Sequence, residues 1–386
     1  MKKLFIILPV IFGILLSGCW DKKELNEVAL VIGVGLDKVE DESYKITAQV
    51  IKPSSGQDKA GGSELPTWSI SATGKTVMSA IRNLNESSPR RLYWAHLQII
   101  IFGEELARES LSPIITWFER DRDSRAGSYL IVTNGLAEDL LNQKIELGNV
   151  PAKSMAELLK ASTIRQINAR EVKLRDIMNT LSTPGVDPVL DVINPREVRG
   201  KIETYELDGV AVFNKDKLMG FINGKHAIGT EAVSNELNFS ILDGKCPANE
   251  GFFSFQITDY TSTKKPILKN GKIIYRIKIA LEGNLTDQTC QIDLLKPNHL
   301  KAVEKEIANN LKEIITKEFE MAREMNSDIY GIGKDIRKFH PGYWKEQKDS
   351  YAYLQNVEFD IQIESNVRRS GLIIEPTQLK VKEGTK

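Results

Sequence analysis

Cysteine and histidine, which often build metal and redox sites, are scarce in this sequence. Its 386 residues include three cysteines and four histidines. No two cysteines form a Cys-x-x-Cys pair, so neither a redox motif nor a zinc site is indicated. No histidine lies near a cysteine at the spacing of metal ligands; the four are His96, His226, His299 and His340. The sequence therefore predicts neither a metal nor a cofactor.

An excess of charge of either sign is also absent. The 52 Lys and Arg residues balance the 52 Asp and Glu residues. Because nucleic-acid-binding proteins usually carry a basic excess, this balance argues against a nucleic-acid partner. Apolar residues make up 41% of the chain and charged residues 27%, which excludes a disordered or fibrous protein. At roughly 150 residues per domain, the length predicts two or three domains.

Long hydrophobic runs are missing, apart from one short run near the N-terminus. Residues 4–16 are uncharged and apolar, and they follow Lys2 and Lys3. A membrane-spanning helix needs about 20 apolar residues, whereas this run has 13. Such a run after two lysines is typical of a secretory signal peptide. We therefore predict a signal peptide over residues 1–18.

The residues at the end of this run predict a lipid anchor. The sequence Leu16-Ser17-Gly18-Cys19 resembles the bacterial lipobox, in which the chain is cleaved before the cysteine and the thiol receives a diacylglycerol. An ordinary signal peptide with an incidental cysteine is the alternative. Cleavage between Gly18 and Cys19 would leave a lipid on Cys19, and at ~0.8 kcal/mol per buried methylene two or three acyl chains hold a soluble domain on a membrane. We expect the body of the protein on the outer face of the cell membrane.

The other two cysteines, Cys246 and Cys290, lie 44 residues apart in the second half of the chain. An exported protein can form a disulfide between them. Two unpaired cysteines in half-buried strands are the interpretation that the sequence alone favours.

The first half of the chain alternates strand and helix patterns. Residues 28–36 predict a buried strand, Asp37–Ser43 a polar turn, and the period-two pattern from Tyr44 to Val50 a second strand of a hairpin. Residues 52–66 are rich in Gly and Ser and predict a loop. Thr73 is expected to cap a helix over 74–86. We predict mixed α/β structure for the region 19–200, in two subdomains.

The second half has a different pattern. Residues 182–204 are rich in Pro, Gly and Asp and predict a domain boundary. Alternating strands and an amphipathic helix over 298–325 predict an α+β domain over 205–375, in which an antiparallel sheet packs against one long helix. Residues 376–386 are expected to form a disordered tail.

Sequence patterns of known catalytic and nucleotide-binding sites are absent. Gly33-x-Gly35 and Gly331-x-Gly333 lack the third glycine of a dinucleotide-binding motif, and Gly74-Lys75-Thr76 lacks the first glycine of a phosphate-binding loop. No G-x-S-x-G or H-E-x-x-H motif occurs. The sequence predicts a protein without enzymatic activity.

One charged cluster follows a predicted helix. Residues 118–125 contain six charged side chains, and their candidate functional residues are Phe118, Arg120, Asp121 and Arg125. Such a cluster can fix a helix end or dock a partner, or it can form a solvated turn. The residues alone favour the solvated turn.

Several short segments occur in a recognisable order along the chain. They are Gly18-Cys19-Trp20-Asp21, Val31–Asp37, His96–Ala107, Phe118-x-Arg120-Asp121-x-x-x-Arg125, Asp328-x-Tyr330-Gly331-x-Gly333 and Tyr343-Trp344. This ordered set resembles the Ger(x)C spore germination lipoproteins, the C subunits of germinant receptors in endospore-forming Firmicutes. Ser124 departs from the pattern, since a carboxylate is the more frequent residue there.

The resemblance implies three mixed α/β domains, each a sheet with packed helices, and no catalysis. It also implies a lipid-anchored subunit of the inner spore membrane, which assembles with the A and B membrane subunits of a receptor that senses small nutrients. It favours a structural or partner-docking role for the cluster at 118–125. The alternative function is a solute-binding lipoprotein that captures a nutrient itself, for which a cleft between domains is expected.

Overall fold

The computed structural model describes residues 27–40, 43–51, 67–143, 150–161, 169–224, 227–237, 240–247, 250–290, 294, 296–347 and 351–369. The predicted signal peptide, Gly18, Cys19, the loop at 52–66, His226 and the C-terminal tail lie outside the described residues. No helix within these ranges is long and apolar enough to cross a membrane.

The described residues form thirteen strands and eleven α-helices. The strands are β1 (Val28–Val39), β2 (Ser43–Ile51), β3 (Thr67–Gly74), β4 (Arg91–Tyr93), β5 (Ile99–Gly103), β6 (Tyr129–Thr133), β7 (Val189–Val198), β8 (Lys201–Asn214), β9 (Lys217–Ile222), β10 (Ile241–Lys245), β11 (Phe252–Lys269), β12 (Lys272–Gln288) and β13 (Glu358–Arg369). The helices are α1 (Val77–Glu86), α2 (Glu104–Glu109), α3 (Ser112–Arg120), α4 (Ala137–Asn142), α5 (Pro151–Lys160), α6 (Leu174–Leu181), α7 (Gly229–Ser234), α8 (Pro297–Glu324), α9 (Ile332–Phe339), α10 (Pro341–Gln347) and α11 (Ala352–Asn356).

A mixed sheet of nine described strands organises the first half of the chain. Its order is β3-β2-β1-β5-β6-β7-β8-β9, and β4 pairs with the start of β1. The central strands β1, β5, β6 and β7 run parallel, whereas the strands at both ends are antiparallel to their neighbours. The central strands are buried on both faces, as expected for parallel strands with helices on either side.

Helices cover both faces of this sheet. Apolar side chains of α1, α2, α3 and α6 pack on one face, and those of α4 and α5 pack on the other. Gly33 and Gly35 allow this second layer to approach, because a Cβ on Gly33 would lie 2.3 Å from the Ala152 Cβ and one on Gly35 would lie 3.0 Å from the Ala137 Cβ. The pair of glycines in β1 is therefore a packing feature of the sheet.

A second sheet, ordered β10-β11-β12-β13, packs against the long helix α8. β11 and β12 form a hairpin that turns at Asn270 and Gly271, where both residues have positive φ. A buried apolar stripe runs along α8 through Val303, Ile307, Leu311, Ile315 and Phe319. The mixed α/β class and the sheet covered by a long helix are as the sequence predicts.

One strand pair differs from the predicted antiparallel sheet. β13 runs parallel to β12 over Ile274–Asn284. The chain between these strands contains α8 to α11, and such a helical connection returns the chain to the same end of the sheet. The prediction failed because alternation along β13 defines a strand but not its direction.

Two local predictions in the first half are also wrong. Asp37 is part of β1 and its exposed fraction is 1%, because its carboxylate accepts backbone hydrogen bonds from Ala137 and Glu138. Thr73 lies in β3, and Thr76 caps α1 by accepting a hydrogen bond from the Ser79 N–H at 3.1 Å. In both places the strand, β1 or β3, extends past the polar residue at which the sequence predicts that it ends.

The segment predicted as a domain boundary contains β7, which pairs with β6 and β8. β8 and β9, which follow it, also belong to the large sheet. The last strand of the large sheet therefore ends at Ile222, the second sheet begins at Ile241, and α7 lies between them.

The structure pairs Cys246 with Cys290 in a disulfide, so the favoured interpretation of two unpaired cysteines is wrong. Their Cα atoms are 5.8 Å apart. Cys246 follows β10 and Cys290 follows β12, and both of these strands pair with the beginning of β11. Pairing to a common strand thus brings together two residues that are 44 positions apart, and a disulfide closing such a loop contributes about 2–4 kcal/mol to stability.

Candidate functional site

Two aspartates join the large sheet to the helical end of the second sheet. Asp187 precedes β7, and Asp328 lies between α8 and α9. The Asp187 N–H donates to the Asp328 carbonyl oxygen at 3.0 Å, and the Asp328 N–H donates to the Asp187 Oδ2 at 2.7 Å. Both side chains are buried. This reciprocal pair connects residues that are 141 positions apart in the sequence.

The Asp328 carboxylate is enclosed by hydrogen-bond donors. Its Oδ1 accepts from the Ile332 N–H at 2.8 Å, and its Oδ2 accepts from the Gly333 N–H at 2.7 Å and the Tyr353 hydroxyl at 2.9 Å. The first two of these bonds satisfy two of the free N–H groups in the first turn of α9. Burial nevertheless raises the pKa of Asp328 to about 7, since desolvation outweighs the three bonds.

The Asp187 carboxylate collects donors from other parts of the chain. Its Oδ1 accepts from the Lys215 N–H, in the turn between β8 and β9, at 2.8 Å and from the Tyr351 hydroxyl at 2.9 Å. Burial raises the pKa of Asp187 above its usual value. Tyr351 has a positive φ of 48°, which is unusual for a bulky residue. Asp187 therefore ties the β8–β9 turn and the segment before α11 to the entry of β7.

A contact between two glycine backbones completes this junction. Gly185 has a φ of +84°, and a Cβ there would lie 2.4 Å from the carbonyl carbon of Gly333. The Lys334 N–H donates to the Gly185 carbonyl oxygen at 2.7 Å. A Cβ on Gly333 would in turn lie 2.8 Å from the Trp344 ring. The sequence Asp328-x-Tyr330-Gly331-x-Gly333 is thus explained by helix capping and close packing. We name the contacts among Gly185, Asp187, Asp328 and Gly333 the aspartate junction.

A second group of buried charges lies beside the aspartate junction. Glu318 of α8 has an exposed fraction of 0%, and it accepts hydrogen bonds from the Thr230 hydroxyl at 2.7 Å and the Tyr330 hydroxyl at 3.1 Å. The Arg170 guanidinium lies 3.7 Å from the same carboxylate. We name Arg170, Asp191, Glu231 and Glu318 the arginine cluster.

Carboxylates outnumber cations in the arginine cluster. The Asp191 carboxylate accepts hydrogen bonds from the backbone of Arg170, at 3.0 Å, and of Glu171, at 3.1 Å. Burial raises the pKa of Asp191 to about 6 and that of Glu231 to about 7, and it also raises the pKa of Glu318. The proximity of Arg170 opposes each of these shifts without cancelling it. Desolvation is therefore the largest influence on the protonation of the three carboxylates.

A cavity of about 470 Å³ opens next to these residues. It is bounded by α6, the entry of β7, α7, β11 and the start of α9, so both sheets contribute to its wall. Among the described residues, no group of three or more His, Cys, Asp or Glu side chains could hold a metal ion.

The structure divides the predicted cluster at 118–125. Phe118 is buried with an exposed fraction of 4% and packs edge-to-face on Trp94 and Trp117. Asp121 accepts a hydrogen bond from the Ser124 hydroxyl at 2.6 Å, so the unusual serine holds the turn. Arg120 and Arg125 are exposed. Phe118 and Asp121 thus stabilise the end of α3, whereas the two arginines face solvent.

The residues of the arginine cluster and Asp187 were not found from the sequence. Glu318 could have been identified from the helical pattern, because it lies on the same buried face of α8 as Leu311, Ile315 and Ala322. A carboxylate at such a position must be paired or protonated. The other members come from separate segments of the chain, and their local sequences do not distinguish them from surface charges.

Two family models cover most of the chain. The model described as "Spore germination protein N-terminal domain" matches residues 21–195, and that described as "Spore germination B3/GerAC like, C-terminal" matches residues 208–371. This chain belongs to the Ger(x)C family of spore germination proteins.

Individual relatives cover nearly its full length. It is 24% identical over 403 aligned positions to spore germination protein KC of Bacillus subtilis (strain 168), with 99% of each chain covered. It is 26% identical to spore germination protein A3 of the same organism, over 96% of this chain and 98% of the relative. The crystal structure of the GerBC protein matches with a TM-score of 0.57 at 18% identity, over 87% of this chain and 96% of GerBC. That likeness shows the shared fold.

In this Ger(x)C protein the buried charges lie where the two matched regions meet. Arg170, Asp187 and Asp191 belong to the first region, whereas Glu231, Glu318 and Asp328 belong to the second. Each of the two groups described above therefore contains residues of both regions. These buried groups therefore connect the two regions.

The Glu231→Gln exchange should change how stability depends on pH. The folded-state pKa of Glu231 is about 7, above its ordinary value of 4.5, so the native state binds more protons than the unfolded state between these values. The Glu231 contribution to the unfolding free energy therefore falls as pH rises from 4.5 to 7. Glutamine removes this loss, so we expect the variant to be more stable than the wild type at pH 8, by roughly 3 kcal/mol, and equally stable at pH 4.5.

Chemical denaturation of both proteins across this pH range measures the difference. Glu320→Gln is the matched control, since Glu320 is exposed on α8, and it should follow the wild-type curve. Parallel curves for Glu231→Gln and the wild type would contradict the account.

Proposed function

We propose that this chain is the lipid-anchored C-type subunit of a nutrient germinant receptor and that it acts without catalysis. The observation that carries the proposal is the ordered match of two germination-protein models over residues 21–195 and 208–371. Full-length similarity to spore germination proteins KC and A3 supports it. The buried carboxylates of the aspartate junction accept hydrogen bonds from backbone and tyrosine donors, which favours a structural role for them.

The proposed membrane attachment depends on Cys19. The apolar run at residues 4–16 and the sequence Leu16-Ser17-Gly18-Cys19 support cleavage before Cys19 and its acylation. The balanced charge of the chain offers no general electrostatic attraction to an anionic bilayer. Acyl chains on Cys19 would then hold the body on the outer face of the cell membrane, which corresponds to the inner membrane of the spore.

The proposed partners are the A and B membrane subunits of the receptor. The exposed side chains of Arg120 and Arg125 are the candidate docking residues, and neither forms an ion pair within the described part of the chain. Phe118 and Asp121 hold the end of α3, of which Arg120 is the last residue, and Arg125 lies in the segment between α3 and β6. An arginine fixed on a rigid element suits recognition of carboxylates on a partner.

Replacement of the anchor residue tests the attachment. In Cys19→Ala no thiol is available for acylation, so we expect the protein to leave the membrane fraction and the spores to germinate poorly with nutrients. Immunoblots of membrane and soluble fractions, together with the loss of optical density of spore suspensions, measure both effects. Ser17→Ala keeps a small residue at this position and should behave as the wild type. Full membrane retention and normal germination of Cys19→Ala would refute the anchor.

Removal of the two candidate docking residues tests the partner surface. We expect Arg120→Ala/Arg125→Ala to retain its fold and to co-purify with the A and B subunits at least fivefold less than the wild type. Quantitative mass spectrometry of detergent-solubilised receptor after affinity capture of this chain gives the ratio. Arg196→Ala/Arg337→Ala, which removes two exposed arginines elsewhere, is the control. Equal recovery of both subunits with both double variants would exclude this surface.

A further inference from the structure

The cavity of about 470 Å³ beside the arginine cluster has a polar wall. Three cationic side chains line it, Arg170, Lys264 and Lys334. Four carboxylates also line it, those of Asp176, Asp187, Glu236 and Asp335. The wall thus carries one more carboxylate than cation, so the hydrogen bonds that each group already makes decide which charges are left for a ligand.

The acidic groups of the wall are mostly engaged by the protein itself. Asp187 accepts hydrogen bonds from two backbone N–H groups and the Tyr351 hydroxyl. Asp335 accepts from the Tyr275 hydroxyl at 2.5 Å, and Asp176 accepts from the Lys173 N–H at 3.0 Å. Glu236 is exposed to solvent. The carboxylates of Asp176, Asp187 and Asp335 therefore already accept hydrogen bonds from the protein.

The cationic groups retain free donor capacity. The Lys264 ammonium donates one hydrogen bond, to the Tyr330 carbonyl oxygen at 2.8 Å, whereas an ammonium has three donors. Within the described ranges neither Lys264 nor Lys334 forms an ion pair. Burial lowers the pKa of Lys264, and the charge of Lys334 adds to this lowering against the opposing carboxylates. The ammonium groups of Lys264 and Lys334 thus belong to the same part of the cavity lining.

Arg170 also lines the cavity, with the Glu318 carboxylate 3.7 Å from its guanidinium. Its side chain is nine-tenths buried, and its Nε has no hydrogen-bond partner among the described residues. Its Nη2 reaches the Ala227 carbonyl oxygen only at 3.5 Å. Because Glu318 already opposes the charge of Arg170, what this residue offers a ligand is its unused Nε donor.

We infer that this cavity binds a small organic anion whose carboxylate or phosphate group lies against Lys264 and Lys334. Such a group would accept the free ammonium hydrogens and neutralise the two neighbouring positive charges. The volume falls within the range of small-molecule sites. Because residues of both matched regions line the cavity, the anion would contact the two regions together. The inference depends on the cavity alone and not on the proposed receptor assembly.

Titration calorimetry on the full-length protein in detergent tests the site. The probes are succinate and inorganic phosphate, with neutral succinamide as the reference, all at constant ionic strength. We expect saturable binding of at least one anion with a dissociation constant of 1 mM or lower, and none of succinamide. The anion that binds identifies the preferred group as carboxylate or phosphate. Absence of saturable binding for both anions would overturn the inference.

Variants then locate the binding. Lys264→Met keeps the aliphatic stem and should weaken binding at least tenfold, whereas Lys278→Met, on the exposed face of β12, should leave it unchanged. If Lys264→Met does not fold, Lys334→Met removes an exposed ammonium and should weaken binding at least threefold. Wild-type affinity in the folded variant would overturn the inference. Membrane retention and co-purification with the receptor subunits test the proposed function separately.

Discussion

The reciprocal hydrogen bonds between Asp187 and Asp328 are the constraint on which the rest of the structure depends. Each residue donates its N–H to the other, and each carboxylate also organises a further segment. Asp328 holds the start of α9, and Asp187 holds the β8–β9 turn. Removing either carboxylate would leave two backbone N–H groups and one tyrosine hydroxyl without their acceptor, at about 1–3 kcal/mol for each group that is buried. The close contact of Gly185 with Gly333 depends on this arrangement.

Features defined by neighbouring residues were predictable from the sequence. The apolar run of β1 and the 3.6-residue period of α8 identified a buried strand and a helix that packs on a sheet. The Asn270-Gly271 pair is likewise a local signal of a turn, because those residues tolerate positive φ. In each case the information lies within a few residues of the chain.

Features that depend on distant partners were missed or mistaken. The local sequence predicts Asp37 in a turn, because it does not show that the N–H groups of Ala137 and Glu138 in α4 donate hydrogen bonds to the Asp37 carboxylate. Cys246 and Cys290 meet only because both β10 and β12 pair with β11. Asp187 and Asp328 are separated by 141 positions, so no local pattern could relate them. Of the candidate site, the sequence identified the Asp328 motif through its family resemblance but not its role.

The contacts between the two matched regions are the structural feature that bears most directly on the proposed function. Under the proposed attachment through Cys19, the second matched region is joined to the anchor through the first. The aspartate junction and the arginine cluster couple the two regions, since both contain residues from each region. The cavity lies at the same place, so an anion bound there would act on the connection itself.

Hydrogen–deuterium exchange of the full-length protein tests this coupling most directly. The informative amides are those of Lys215, Asp328, Ile332 and Gly333, which donate to the two buried carboxylates. The account predicts that peptides containing them exchange as slowly as peptides from the central strands β5 and β12. Rapid exchange at these amides, while both sheets remain protected, would show that the two regions separate freely and would contradict the account.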